Sequence, residues 1–336
     1  MIKINQKTYF ISFFIILFLI IAFTFPVLFS KNDYTDVFFA MDTFFEISIP
    51  RETSNKEEII EETKKIVFLT DEKLNKYNPK SEIANINKYG FNQSIKVSAE
   101  TINVLNRAIH FCEISEGFFD ITFEPLQNLY GFNTQEYKIP SNDELDKAKN
   151  IVNYKYISID EKTSSVKLLK ENVIINLSGL LKGYTLDKVS DFLKKNNIDN
   201  YYLNFGGNIL VSGNKKRKIG ILNPRKENNL TYVNLENSSI STSADYQNFF
   251  EKDGRRYTHI INPKNGNASF PWQAVVVIAK KGIDADFLST VIFVTGFEKG
   301  KEMVRNYFPD ASFLLIENEN NIYEYDKIKY TIIIDI

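Results

Sequence analysis

Residues 173–211 read VIINLSGLLKGYTLDKVSDFLKKNNIDNYYLNFGGNILV, and this stretch gives the clearest indication of how the chain folds. The mostly apolar run at 173–177, in which Asn176 is the one polar residue, predicts a buried strand, since a strand covered on both faces needs no polar alternation. Apolar residues then recur at helical spacing and predict a helix over 181–195. The next apolar run predicts a strand over 201–211 that ends in turns.

The pattern on either side of this stretch also mixes strands and helices. Strands are predicted at 39–49, 156–159, 166–169, 218–222, 232–235, 256–261 and 274–278, and again towards residue 336. Helices are predicted at 57–74, 101–114, 143–149, 285–294 and 298–307. A polar linker is expected at 31–35 and a surface excursion at 127–142. Because the elements follow no regular βαβ repeat, the order favours an α+β fold of mixed sheets with packed helices, in one domain over 31–336.

Composition excludes several classes of protein. The chain of 336 residues has 41 Lys and Arg against 42 Asp and Glu, a formal net charge of −1, which does not favour a nucleic-acid partner. The single cysteine, Cys112, cannot form an internal disulfide or a Cys₂His₂ zinc site, and we expect a small buried side chain rather than a nucleophile. Two histidines are too few for a His-rich metal site.

The N-terminal residues indicate a membrane or secretory segment. Lys3 and Lys7 precede an uncharged run from Tyr9 to Ser30, and about 20 apolar residues suffice to cross a bilayer as a helix. The lysines favour an N-in, C-out orientation. No small-x-small cleavage site follows the run, and no cysteine near its end could hold a lipid. We therefore expect an uncleaved signal anchor in residues 1–30, with a cleaved signal peptide or a buried core helix as alternatives, and a domain outside the cytoplasm.

A first group of polar residues lies in the segment 283–290, IDADFLST. On a helix Asp286 and Thr290 project from one face, with Ser289 beside them. Hard cations such as Mg²⁺ prefer oxygen ligands, and a site completed by substrate phosphates needs only one or two from the protein. The alternative is an ordinary helix N-terminus, with Asp284 as N-cap and the hydroxyls in solvent.

Two glycine-containing turns are candidates for ligand contact. Ser178 and Gly179 begin a helix, where backbone N–H groups favour an anion, and Lys182 is placed to meet a phosphate. The spacing is not that of a Walker A loop, so an ordinary turn with a solvated lysine remains an alternative. The turn from Asn204 to Asn208 contains Gly206 and Gly207, which permit close approach of a ligand or simply reverse the chain.

His259 is the best candidate for a general base. It follows Tyr257 and Thr258 in a predicted strand that ends at Pro263. An unperturbed imidazole has a pKa near 6.5, which suits proton transfer at neutral pH, although a lone histidine is more often structural. A Ser-His-Asp hydrolase is disfavoured because no GxSxG elbow is present.

Taken together and in order, these segments resemble the ApbE family of FAD:protein FMN transferases. The similarity extends from Met41 to about Gly300. It rests on Met41-Asp42-Thr43, Tyr77-Asn78-Pro79-Lys80-Ser81-Glu82-Ile83 with Asn87, Gly117 to Thr122 with Pro125-Leu126, Lys182-Gly183-Tyr184 with Asp187, Asn204 to Asn208, Thr242-Ser243 with Tyr246, His259 with Pro263 to Gly266, and Ala285 to Thr290.

The resemblance implies a T-fold-related architecture, FAD as donor, Mg²⁺ on its diphosphate, and transfer of FMN to a Thr or Ser hydroxyl of an acceptor flavoprotein in a membrane or extracytoplasmic redox system. It implies metal ligation by Gly179, Asp286, Ser289 and Thr290. It implies an FAD site lined by Met41, Tyr77, Phe118, Phe119, Asp120, Asn176, Lys182 and His259. We further expect His259 to take the proton of the acceptor hydroxyl. FAD hydrolysis to FMN and AMP, or flavin binding without catalysis, remain alternatives.

The chain departs from the family pattern at six positions. These are Asp42 for Gly, Phe118 for Ala, Ile121 for Pro, Asn176 where Asp is frequent, Ala244 for Gly, and Asn262 for Asp. Asn176 removes a charge near the expected metal, and Phe118 adds bulk to the expected FAD wall. These changes bear on affinity and rate more than on the fold.

Overall fold

A computed structural model describes residues 33–325 of the chain. Within that range, no helix combines the length and the apolar character needed to cross a membrane. The predicted anchor of residues 1–30 lies outside the described residues, as do the strands expected over 326–336. The predicted linker is shorter than expected, because strand β1 already begins at Asp33.

Strands and helices are interspersed along the described residues. The helices are α1 Lys56–Leu74, α2 Glu82–Tyr89, α3 Ala99–Ile114, α4 Glu124–Leu129, α5 Asn142–Lys149, α6 Ser178–Lys195, α7 Gly282–Thr295 and α8 Phe297–Tyr307. The strands are β1 Asp33–Ala40, β2 Thr43–Pro50, β3 Ile95–Lys96, β4 Ile157–Asp160, β5 Ser165–Leu168, β6 Tyr201–Phe205, β7 Asn208–Ser212, β8 Arg217–Leu222, β9 Asn229–Leu235, β10 Ser238–Ala244, β11 Phe249–Lys252, β12 Arg255–Thr258, β13 Ala274–Ala279, β14 Ser312–Asn318 and β15 Asn321–Tyr325.

Eight of these strands form one antiparallel sheet in the order β1-β2-β6-β7-β10-β13-β14-β15. Smaller sheets are formed by β3-β5-β4, by β8-β9 and by β11-β12. Helices α6 and α7 pack against each other and against the central strands of the large sheet. Mixed sheets with packed helices confirm the predicted α+β class.

Two predicted strands are in fact hairpins. Residues 39–49 form the end of β1, a two-residue turn at Met41-Asp42, and β2, with Ala40 paired to Thr43. Both turn residues have positive φ, 47° and 59°, as a type I′ turn requires. Residues 201–211 likewise form β6 and β7, joined at Gly206-Gly207. The Gly206-Gly207 turn was visible in the sequence as a place where the chain can reverse, whereas Met41-Asp42 carries no glycine and gave no such signal.

The predicted strand at 173–177 is wrong. Its backbone joins no ladder: the side chain of Asn87 donates to the Ile175 carbonyl at 2.9 Å and accepts from the Ile175 amide at 2.7 Å. The Asn176 amide donates to the Ile121 carbonyl at 2.7 Å. The following helix begins at Ser178, earlier than the predicted residue 181.

Other boundaries also differ from expectation. The strand predicted over 256–261 ends at Thr258. The predicted surface excursion at 127–142 begins inside α4 and is partly buried, because Tyr130 and Phe132 pack into a small core with Leu126. Cys112 is buried, as predicted.

Helices α6 and α7 cross at two glycines. A Cβ on Gly183 would lie 2.2 Å from the carbonyl oxygen of Gly282, so no larger residue fits without separating the helices. Asp187, one turn further along α6, accepts the first amides of α7, from Gly282 at 2.6 Å and from Ile283 at 3.0 Å. Burial raises the pKa of this carboxyl to about 6, although both amide hydrogen bonds oppose the shift. The Lys-Gly-Tyr-x-x-Asp segment thus fixes how α7 sits against α6.

Candidate active site

A cleft of about 370 Å³ opens beside the turn at residues 41–42 and the first residues of α6. Every side chain expected to line an FAD site lies on its walls: Met41, Tyr77, Phe118, Phe119, Asp120, Asn176, Lys182 and His259. Of the four expected metal ligands, Gly179, Asp286 and Thr290 also line the cleft. Ser289 is fully buried behind it. The fold therefore brings together motifs that are far apart in sequence.

The Asp286 carboxylate faces the start of α6. Its Oδ2 accepts from the Gly183 amide at 3.0 Å. In a regular α-helix that amide would donate to the Gly179 carbonyl. Because that amide donates to Asp286, we expect the Gly179 carbonyl oxygen to have lone pairs available for another partner. A Cβ on Gly179 would lie 3.8 Å from Thr290 Oγ1, so the three groups converge on one region of the cleft.

This set of donors fits Mg²⁺. It comprises one carboxylate, one hydroxyl and one backbone carbonyl, all hard oxygen atoms. Within residues 33–325 no group of three His, Cys, Asp or Glu side chains is placed to hold a metal. The oxygen cluster alone offers few ligands, which suits Mg²⁺, because this ion commonly keeps waters and substrate phosphates as its remaining ligands.

Lys182 supplies positive charge to the same cleft. Across the described residues, its ammonium group makes no ion pair or hydrogen bond with another side chain. Phe119 packs edge-on against Phe287, with ring centroids 5.1 Å apart, and forms an apolar wall next to Gly179. The Phe118 ring is flanked by the ammonium groups of Lys264 and Lys299, at 4.7 and 4.1 Å from its centroid.

Asp120 lines the cleft with its carboxylate already engaged. Oδ1 accepts from the Thr122 amide at 2.8 Å and from the Thr122 hydroxyl at 2.7 Å, and Oδ2 accepts from the Tyr154 amide at 3.0 Å. Burial raises the pKa of Asp120, and these hydrogen bonds oppose the rise. Asp120 therefore holds this part of the wall in place.

His259 is held in one tautomer. Its Nδ1 lies 3.2 Å from the Asn248 carbonyl, which only accepts, so Nδ1 carries the proton and Nε2 has a free lone pair. Burial lowers the pKa of His259 to about 4; the nearby Lys182 ammonium also lowers it, while the Asn248 carbonyl acts in the opposite direction. The imidazole is therefore neutral at pH 7 and able to accept a proton.

A buried ion pair lies at the edge of the cleft, and sequence reasoning missed it. Lys76 Nζ lies 2.7 Å from Glu124 Oε1, with side chains only 10% and 3% exposed. The other carboxylate oxygen accepts from Asn176 Nδ2 at 2.6 Å. The Lys76 ammonium also lies 3.6 Å from the centre of the Tyr77 ring. The pair thus joins Asn176 to the aromatic residue at the cleft mouth.

Replacing Lys76 by methionine is expected to lower the free energy of unfolding by about 3 kcal/mol, because it leaves the Glu124 charge buried without its cation. Urea unfolding measures this loss. The double variant Lys76→Met, Glu124→Gln is expected to recover most of it, since neither charge remains. Lys80→Met, at an exposed position nearby, serves as control. If Lys76→Met were as stable as Lys80→Met, the ion pair would not have the stabilising role given to it here.

A model of the ApbE family matches residues 41–315. A FAD:protein FMN transferase of Haemophilus influenzae is 31% identical over 286 residues, which cover 80% of this chain and 81% of the relative. One of Vibrio cholerae is 29% identical over 265 residues, covering 76% of this chain and 78% of the relative.

Solved structures show the same architecture. The crystal structure of an ApbE protein from Thermotoga maritima is similar with a TM-score of 0.79 and 29% sequence identity, covering 88% of this chain and 97% of that one. The flavin transferase ApbE from Vibrio cholerae has a TM-score of 0.75 and 25% identity, covering 87% and 97%.

Proposed function

The chain belongs to the ApbE family, and from that premise we propose that it cleaves FAD and attaches FMN through a phosphoester to a Thr or Ser hydroxyl of an acceptor flavoprotein. Its curated relatives are named FAD:protein FMN transferases, so the chain is a transferase enzyme. The observation that carries the finer proposal is a neutral His259 in the same cleft as the oxygen cluster of Asp286, Thr290 and Gly179.

The oxygen cluster suits the diphosphate of FAD. Mg²⁺ held there would neutralise charge on the diphosphate and favour departure of AMP. The unpaired ammonium of Lys182 adds positive charge on the same side of the cleft. The aromatic side chains Tyr77 and Phe119 suit the flat faces of a flavin or adenine ring.

His259 suits the role of general base. Nε2 accepts the proton of the acceptor hydroxyl while the hydroxyl oxygen bonds to the phosphorus of the FMN portion. The bridging P–O bond to AMP then breaks, and AMP leaves with that oxygen. The protein mainly positions the groups in line, which is the usual contribution of an enzyme to phosphoryl transfer.

The test incubates the full chain with FAD, Mg²⁺ and a candidate acceptor flavoprotein. AMP release and in-gel flavin fluorescence of the denatured acceptor are followed together. Magnesium-dependent AMP release with covalent fluorescence on the acceptor supports the transferase. AMP without fluorescence, across several acceptors, favours FAD hydrolysis. Tight FAD binding with neither product favours a flavin-binding protein.

We also propose that the enzyme acts outside the cytoplasm, anchored by residues 1–30. The support is the apolar run from Tyr9 to Ser30 with lysines before it. Acceptors are then redox proteins of the membrane or the extracytoplasmic space. Protease added to intact cells is expected to degrade the domain. If the domain stayed completely protected in cells whose outer layers had been made permeable to the protease, the proposal would be contradicted.

A further inference from the structure

Strand β1 begins close to the end of the proposed anchor. Asp33 is its first residue, and only Lys31 and Asn32 separate it from the apolar run that ends at Ser30. Three residue steps span at most about 11 Å, even when the chain is fully extended. If residues 1–30 cross a membrane, as proposed above, Asp33 therefore lies within about 11 Å of the membrane surface.

Basic side chains surround Asp33. Arg217 Nη2 pairs with its carboxylate at 2.7 Å, and Arg51 Nη2 donates to its carbonyl at 3.2 Å. Arg217 begins β8 and directly follows Lys215 and Lys216, which are exposed in the turn from β7. Within the described part of the chain, no acidic side chain pairs with either lysine. The turn thus brings two free cations to the point where the chain leaves the proposed anchor.

The turn at residues 213–216 is a fixed part of this end of the sheet. Asn237 Oδ1 accepts from the Gly213 amide at 2.8 Å and holds the turn against the strand that follows β9. Two acidic residues, Asp199 and Glu236, lie in the neighbouring segments and offset part of the positive charge. The turn itself contains no acidic residue, so the positive charge is concentrated at its tip.

We propose that Lys215 and Lys216, together with Arg51, contact anionic lipid headgroups of the membrane that holds residues 1–30. A lysine close to an anionic bilayer favours contact with it through charge alone. A short tether by itself would leave the domain free to rotate, whereas the basic turn adds a second point of attachment at the same end of the sheet. The inference rests on the anchor that forms part of the proposed function.

This attachment determines where the cleft lies. Strand β1 runs from Asp33 to Ala40, and the turn at residues 41–42, which borders the cleft, follows directly. Seven residue steps of a strand span about 23 Å. With the Asp33 end of the sheet against the headgroups, the strands rise from the membrane and the cleft stands roughly 20 to 30 Å above it. The hydroxyl that accepts FMN is then expected on a part of the acceptor that projects from the bilayer to this height.

The test measures the distance of two positions from the membrane, with the full chain reconstituted in lipid vesicles. A dye is attached to Asn214→Cys, next to the lysines, or to Phe39→Cys, near the far end of β1, where the side chain is 57% exposed. Cys112 is buried and stays unlabelled. Energy transfer to a headgroup-labelled lipid reports each distance. In vesicles that contain phosphatidylglycerol, we expect strong transfer from position 214 and weak transfer from position 39.

Lys215→Gln combined with Lys216→Gln is expected to lower the ratio of docked to undocked domains about 30-fold, because each lysine favours contact about fivefold. Vesicles of phosphatidylcholine alone, or high salt, are expected to lower the transfer from position 214 in the same way, since salt screens exposed charges. Lys162→Gln combined with Lys167→Gln is the matched control, because both lysines are exposed and lie in or next to β5, on a separate sheet. Neither double variant is expected to change the rate of FAD cleavage in detergent.

The outcomes separate this inference from the proposed function. If transfer from position 214 is insensitive to lipid charge and to loss of both lysines, the inference is overturned and the proposed chemistry is untouched. If the unaltered chain does not float with the vesicles, the anchor and the inference are overturned together, while AMP release still tests the chemistry. If the double variant keeps its distance from the membrane but modifies an acidic acceptor protein more slowly, the lysines dock a protein rather than lipid, and the inference is again overturned.

Discussion

Replacing Asp286 by asparagine is expected to slow cation-dependent FAD cleavage by about 1,000-fold, or about 4 kcal/mol in activation free energy. Asp286 is the carboxylate that faces Gly179 and Thr290, and across residues 33–325 no cluster of acidic, His or Cys side chains is placed to replace it as a metal site. Asparagine keeps an oxygen that can accept from the Gly183 amide, so the contact between α6 and α7 is preserved. The loss then comes from the missing charge. Initial rates of AMP release, measured across a range of Mg²⁺ concentrations, give the size of the effect.

Asp284→Asn is the matched control. Asp284 lies two residues away on the same helix and pairs with Arg107 at 2.7 Å, and it does not line the cleft. We expect this variant to cleave FAD at close to the normal rate. If Asp286→Asn retained the normal rate and the normal Mg²⁺ dependence, the oxygen cluster would not be the cation site.

The long helices could be predicted well from the sequence. In α1, α3 and α7 apolar residues recur over several turns, and the predicted bounds agree with the structure to within a few residues. Strand β10 was not predicted, because Ser238–Ala244 contains Ser and Thr where a buried strand usually has Val or Ile. Ser241 and Ser243 each lie within hydrogen-bond distance of Ser289 on α7, a partner that no local pattern reveals.

In the candidate site, too, some residues could be predicted from the sequence and others could not. Short motifs in the right order were enough to select residues that the fold brings to one cleft, such as Asp120, Lys182 and Asp286. Lys76, Glu124 and Ser241 could not be predicted, because charged and hydroxyl residues are usually exposed and a single sequence does not show which ones are buried. Partners that satisfy them lie far away along the chain and meet only in the folded structure.

The hydrogen bonds of Asn176 give a physical reason for one departure from the family pattern. Its Oδ1 accepts from the Ser178 amide at 2.9 Å, at the start of α6, and its Nδ2 donates to Glu124 at 2.6 Å. An aspartate at this position has no proton to donate and would place a second negative charge against the buried Glu124. Asn176 and Glu124 therefore suit each other.

Replacing His259 by alanine is expected to slow FMN transfer by about 100- to 10,000-fold, the usual range for a general base, while FAD binding is retained. The rate of the unaltered enzyme also reports on this residue. Because the pKa of His259 is lowered to about 4, the imidazole stays neutral from pH 8 down to about pH 5 and can accept a proton throughout that range. Protonation below that range removes the lone pair on Nε2. Single-turnover transfer rates are therefore expected to be flat between pH 6 and 8 and to fall only as the pH approaches 4, whereas an ordinary histidine would lose half its activity near pH 6.5.

His110→Ala is the control, since the second histidine of the chain is exposed on α3 and lies outside the cleft. It is expected to leave both the rate and its pH dependence unchanged. If His259→Ala kept the normal transfer rate, a group other than His259 would take the proton of the acceptor hydroxyl. A fall in the rate centred near pH 6.5 would mean that His259 is solvated in the working enzyme, and that burial does not lower its pKa there.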